Sequence, residues 1–267
     1  MKNIYQLVLL MVLLLAGYWA SAQNLWSQQG PEFSGSNPIP SSQSGSLSAL
    51  SADGTTAVSF YINDVKGAGF FVYRLNGQQW VKQARINVPN CLLDKGFRPV
   101  KGGIAISGNG NTIAITGSLN YSDTIWVFDY QNNVWALQAR LVARKGCNLA
   151  FHNTALSNDG NTLLYNAQIW VRDNNVWSLE ANLIPIDRPV ASAACFDTAN
   201  RFSGATSCAL SADGNTAVVG DLSVLDNNSA AWVFVRYGHT WQQQGPRLKA
   251  LGTNGFPFNS NSYSCTV

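Results

Sequence analysis

Charge is scarce in this chain. Charged residues are 12% of 267, with 17 Lys and Arg against 14 Asp and Glu. A formal charge of +3, with no Lys/Arg run interleaved with aromatics, excludes a surface that tracks a nucleic-acid backbone. Histidine is scarcer still: His152 and His239 are the two present, which gives thin support for histidine-based catalysis. The five cysteines, Cys91, Cys147, Cys195, Cys208 and Cys265, match no zinc spacing. Their odd number leaves at least one thiol over, or paired between chains, if the compartment is oxidising. Long apolar runs are missing except one. Leu7 to Ala16 follows Lys2 and leads to Ala20-Ser21-Ala22, a small-x-small cleavage pattern. The run is short for a bilayer span, which favours a signal peptide over residues 1–22 rather than an anchor helix. The mature chain, 23–267, is then expected to be exported.

What is present is repetition. The stretch Cys208 to Leu248 holds four short apolar runs separated by turn-like breaks, two of them at Asp213-Gly214 and Gly238-His239. Gly takes positive φ without penalty, so such dipeptides close tight hairpins. The unit reads as a four-stranded antiparallel meander, one blade of a β-propeller. Its first hairpin recurs at Ala49-Leu50-Ser51-Ala52-Asp53-Gly54, Ala105-Ile106-Ser107-Gly108-Asn109-Gly110, Ala155-Leu156-Ser157-Asn158-Asp159-Gly160 and Ala209-Leu210-Ser211-Ala212-Asp213-Gly214. A third strand with alternating aromatics follows in each copy, as in Trp126-Val127-Phe128 and Trp232-Val233-Phe234. A fourth begins at Trp80, Trp135, Trp177 or Trp241. Recurrence of that Trp at one register favours a residue filling the seam between blades over an exposed platform for sugars or bases. The expected fold is all-β: a propeller with blades near 46–88, 103–143, 153–184 and 206–249, stacked because one small sheet cannot bury both faces. Cys208 and Cys265 fall in copies of the first strand and read as small core residues rather than reactive thiols.

The ends carry partial copies. Leu25 to Phe33 matches the fourth strand that begins near Trp241, and Tyr263 to Val267 matches the start of a first strand. The ring is therefore expected to be open or imperfectly closed, or the chain to be cut short of a longer natural end; truncation is the favoured reading.

The segment Leu210 to Gly220, with Ala231-Trp232-Val233-Phe234 and Trp241 to Leu248, resembles FG-GAP-type repeats of secreted propellers, distant relatives of the integrin α-subunit head. The resemblance implies a β-propeller with an extracellular binding or adhesive role. Many such blades hold calcium in the first hairpin, but here each hairpin carries one Asp at most: Asp53, Asp159 and Asp213, and none beside Asn109. Calcium needs six to eight oxygen ligands, so these carboxylates read as turn formers and no metal or cofactor is expected.

In a meander of this kind the loops joining strands two and three share one end with the connectors between blades, and loops on a rigid scaffold carry function. The candidate ligand-binding residues there are Arg98, Lys101, Arg144, Lys145 and Arg188 from connectors, with Asp64, Asp123 and Asp226 from the strand-two-to-three loops. The basic share suits an anionic glycan or an acidic protein surface. The first reading is a secreted, non-catalytic module binding an extracellular protein or carbohydrate. A polysaccharide hydrolase or lyase using loop carboxylates, with Asp221 and Asp226 the nearest pair, is the second. A structural repeat module of a longer exported protein is the third.

Overall fold

A computed structural model describes residues 47–63, 67–89, 103–119, 122–143, 153–187, 205–221 and 230–249. The expected leader (1–22), the strand-like copy at 25–33 and the final copy at 263–267 lie outside the described residues.

Every regular element among the described residues is a strand. Blade 1 is β1 (Ser48–Leu50), β2 (Thr56–Asn63), β3 (Gly67–Asn76) and β4 (Gln79–Asn87). Blade 2 is β5 (Ile104–Ile106), β6 (Thr112–Leu119), β7 (Ser122–Gln131) and β8 (Val134–Val142). Blade 3 is β9 (Thr154–Leu156), β10 (Thr162–Tyr165), β11 (Gln168–Asp173) and β12 (Val176–Asn182). Blade 4 is β13 (Ala205–Leu210), β14 (Thr216–Asp221), β15 (Ala230–Tyr237) and β16 (Thr240–Gln243), with β17 (Leu248–Lys249) returning to pair with β15. Each blade is an antiparallel meander in sequence order, and β1, β5, β9 and β13 lie side by side to form an open arc.

Period-2 alternation sends each blade's side chains to two neighbours. On β7, Trp126 and Phe128 pack with Phe60, Phe70 and Val72 of blade 1, while Ile125 and Val127 pack with Leu163 and Trp177 of blade 3. Phe70 meets Phe128 edge-on, ring centroids 5.1 Å apart. Trp232 and Phe234 complete the third seam with Leu164 and Ile169. Each such side chain contributes about 2 kcal/mol of burial free energy, so every seam is a hydrophobic core in its own right.

The first hairpin of each blade is a closed hydrogen-bonded unit. In blade 3, Ser157 Oγ donates to Asp159 Oδ1 at 2.6 Å and accepts from the Thr162 amide at 2.9 Å, while the Asn161 amide donates to Asp159 Oδ1 at 2.9 Å. Ser51 with Asp53, Ser107 with Asn109 and Ser211 with Asp213 repeat the set. The burial of Asp159 pushes its carboxyl up, but the Ser157 hydroxyl and the Asn161 amide outweigh that and hold it below the ordinary aspartate value. Neighbouring hairpins are tied together, Asn109 N–H to Asn158 O at 3.0 Å and Asn158 N–H to Ala212 O at 2.8 Å. Glycine is required where one hairpin meets the next blade: Gly160 has φ +74°, and a Cβ there would lie 2.5 Å from Thr112 Oγ1.

Candidate functional site

Antiparallel order places the β1–β2 and β3–β4 turns, and their counterparts, at one end of the arc. The strand-two-to-three loops and the connectors between blades leave from the other. That loop end is where the candidate ligand-binding residues belong.

Among those residues, Asp64, Arg98, Lys101, Arg144, Lys145, Arg188 and Asp226 lie outside the described residues. Asp123 is described, near the start of β7 and half-buried. It faces blade 3, where the Tyr165 hydroxyl bonds its carboxylate. Burial first, then the negative charge of Asp123, raises the Tyr165 phenol well above its ordinary value and keeps it protonated. Asn166, at φ +54° in the short turn between β10 and β11, adds its side chain to the Tyr165 oxygen. Its Oδ1 is buried without a hydrogen-bond partner. An Asn tolerates this left-handed backbone where most side chains do not. Next to it, Cys208 packs against the blade 3–blade 4 core. Although the residue as a whole is only partly buried, burial around the sulfur pushes its thiol up to about 12, consistent with a core residue rather than a nucleophile.

A second anchor stands where the third connector begins. Asp187 accepts the Trp232 indole N–H at 2.8 Å, Gln243 Nε2–H at 3.0 Å and the Arg247 amide at 2.8 Å. Burial raises its pKa, but these three donors more than offset that and hold the carboxyl below its ordinary range. The Ile186 amide also bonds Gln243 Oε1 at 2.9 Å. The chain that leads into Arg188 is thereby pinned to the outer strand of blade 4.

Sequence reasoning missed the residues that join the outer strands. β4, β8 and β12 each carry a bulge, at Gln83, Gln138 and Glu180, where the register against β3, β7 and β11 shifts by one. A bulge re-aims a side chain out of strict alternation. Here it turns the acceptor toward the next blade, whose tryptophan donates its indole N–H: Trp135 to Gln83 at 3.2 Å, Trp177 to Gln138 at 2.6 Å, and Trp241 to Glu180 at 2.9 Å. The recoverable signal is spacing, since each acceptor stands three residues after its own blade's tryptophan.

Charge crosses the seams as well. Arg172 of blade 3 pairs with Asp129 of blade 2, reaches Thr112 Oγ1 at 3.3 Å, and stacks over Trp177 at 5.3 Å. Arg236 pairs with Glu180, and exposed His239 approaches the same carboxylate at 3.1 Å. Burial raises Glu180, but donation from Trp241, His239 and Arg236 brings it below its usual value.

The geometry can then be set against known proteins. No family model matches the chain. No curated protein matches it either. Solved structures do match. A candidate 6-phosphogluconolactonase from Bacteroides fragilis shares 14% identity at a TM-score of 0.50, over 82% of this chain and 59% of its own. This chain folds as a β-propeller. The propeller domain of the Trilobed protease from Pyrococcus furiosus, described as having an open velcro topology, aligns over 76% of this chain and 57% of its own at 11% identity and a TM-score of 0.41. AofleA from Arthrobotrys oligospora aligns over 78% and 61%, at 11% identity and a TM-score of 0.41. The chain thus spans under two thirds of each of these structures. At such identities the likeness concerns fold alone, and none of these matches is to an FG-GAP or integrin protein. No helix of the described residues is long and apolar enough to cross a membrane.

Proposed function

We propose that this propeller is an exported, non-catalytic binding module that recognises an anionic extracellular partner, a glycan or an acidic protein surface, through the loop end of the arc. One observation carries the reading. The described carboxylates at the turns and seams are held by donors of the scaffold itself: Asp53, Asp159 and Asp213 in hairpins, Asp129, Glu180 and Asp187 between blades. The connectors over 90–102, 144–152 and 188–204, by contrast, hold Lys95, Arg98, Lys101, Arg144, Lys145, Arg188 and Arg201 against Asp94 and Asp197. A surplus of one sign on loops of a rigid frame attracts the opposite charge and speeds its association. The export implied by residues 1–22 and the FG-GAP likeness of the repeats agree with an extracellular partner.

The test is a glycan array and an extracellular-protein pull-down with the chain from Gln23. A specific hit is expected, abolished by joint reversal of Arg98, Arg144 and Arg188 to Glu. A hit that survives those reversals would remove the loop end from the account. Cleavage of an arrayed polysaccharide would point to the hydrolase or lyase, and no specific hit to a structural module.

A further inference from the structure

The outer strand of blade 1 gathers charge that strict alternation would scatter. Successive residues of a strand face opposite sides, so Lys82 and Arg85, three apart on β4, would ordinarily point away from each other. The bulge at Gln83 removes that difference. Both side chains come to the face turned away from blade 2, where Lys82 Nζ lies 5.3 Å and Arg85 Cζ 6.0 Å from the centroid of the Phe71 ring. Arg85 Cζ also stands 4.8 Å from the Tyr61 centroid. The two rings are buried, while Lys82 and Arg85 are exposed. Two cations over one ring repel each other, and no described carboxylate pairs with either; Arg172 and Arg236, by contrast, each meet one.

The arginine is also held in place. Its Nε–H donates to the Tyr61 hydroxyl oxygen at 3.0 Å, and that hydroxyl donates to Asn87 Oδ1. Glycine at 69 makes room for the arrangement, since a Cβ there would lie 2.6 Å from the Tyr61 oxygen and 2.2 Å from the Ile86 carbonyl oxygen. What remains to be offered outward is the Lys82 ammonium, the two terminal nitrogens of Arg85 and the amide N–H groups of exposed Asn87, all of them donors. The other blades do not repeat this. Where blade 1 has Tyr61, five residues after the strand-opening threonine, they have Gly117, Ala167 and Asp221; in place of Lys82 they have Leu137, Leu179 and Gln243. Blade packing therefore does not require these residues.

We infer that Lys82 and Arg85, with Tyr61 as the positioning residue for the guanidinium, form a binding site for a sulfate ester of an extracellular polysaccharide. Donors from three side chains suit the three terminal oxygens of a sulfate ester better than the two of a carboxylate, and an arginine fork adds direction to the charge. The inference rests on the anionic partner proposed above but puts this contact on the outer strand of blade 1, apart from the connectors.

The test is calorimetric titration of the chain from Gln23 with dextran sulfate, polygalacturonate, polyglutamate and uncharged dextran, at about 0.15 M salt so that long-range attraction is screened. Dextran sulfate is expected to bind tightest. Arg85→Gln is expected to weaken it about tenfold, the worth of a charge-assisted hydrogen bond, and Tyr61→Phe about threefold. Arg140→Gln is the control: it removes the same charge from the equivalent register of β8, where Leu137 replaces the lysine, and is expected to change little. Equal losses from Arg85→Gln and Arg140→Gln would reduce the effect to net charge and overturn the site. So would absence of dextran sulfate binding, or equal affinity for polygalacturonate or polyglutamate. Joint reversal of Arg98, Arg144 and Arg188 separates the two proposals. Loss of binding there with indifference to Arg85→Gln would overturn this site alone; the converse would overturn the loop-end reading alone.

Discussion

The two ends of the arc are built on different terms. At the turn end, the same serine, carboxylate or amide, glycine and threonine return in each blade and bond to one another at nearly the same distances. At the loop end, the β10–β11 turn is two residues while the β14–β15 connection spans 222–229, and the connectors share no common sequence. Repetition marks where the chain must fit its own neighbour. Variation marks where it is free to fit something else.

That contrast is broken hardest at the glycines of the turn end. Gly160→Ala forces a side chain into φ +74° and against Thr112 Oγ1, and is expected to lower unfolding free energy by about 3 kcal/mol in urea. Gly54→Ala carries a similar backbone penalty at φ +70° but has open space, so about 1 kcal/mol is expected. Equal losses at the two sites would mean that hairpin packing across the seam contributes nothing.

Next come the polar links. Arg172→Met leaves the mostly buried Asp129 without its cation, with an expected cost of about 2–3 kcal/mol after allowing for residual solvent. Gln138→Ala removes the acceptor of the Trp177 indole N–H and is expected to cost about 1 kcal/mol. A double-mutant cycle with Trp177→Phe should show the two losses to be coupled; strict additivity would say the bond is idle.

Acid should then weaken the seams and hairpins together. Glu180, Asp187 and Asp159 have folded pKa values below their ordinary 4.5, 3.8 and 3.8. A depressed carboxylate stabilises the fold fully above its unfolded pKa, and that contribution fades as pH falls through the folded one. The urea midpoint is therefore expected to decline on acidification from about pH 4.5 downward, and Glu180→Gln to blunt part of the decline.

Much of the scaffold was legible from residues alone. The hairpins announced themselves through Asp-Gly and Asn-Gly, and the strand-four tryptophans through their register. The acceptors at Gln83, Gln138 and Glu180 were not, because in strict period-2 alternation a Gln or Glu on an outer strand reads as a solvated residue. Only the bulge turns it toward the neighbouring blade. The tight turns at Asn132-Asn133 and Asn174-Asn175, all four residues at positive φ, passed unnoticed because asparagine signals the left-handed region less plainly than glycine. Asp187 sits in irregular chain with no repeat to expose it. Of the candidate ligand-binding residues, Asp123 has its carboxylate bonded by the Tyr165 hydroxyl across a seam, a contact no repeat pattern announces, and the others lie outside the described residues.

The most direct test of the division between the two ends is one urea unfolding experiment on two variants side by side. Joint reversal of Arg98, Arg144 and Arg188 is expected to leave the unfolding free energy within about 0.5 kcal/mol of the parent, as for exposed substitutions, while Gly160→Ala loses several times that. A triple reversal that destabilises as much as Gly160→Ala would place those arginines in the scaffold and contradict the account.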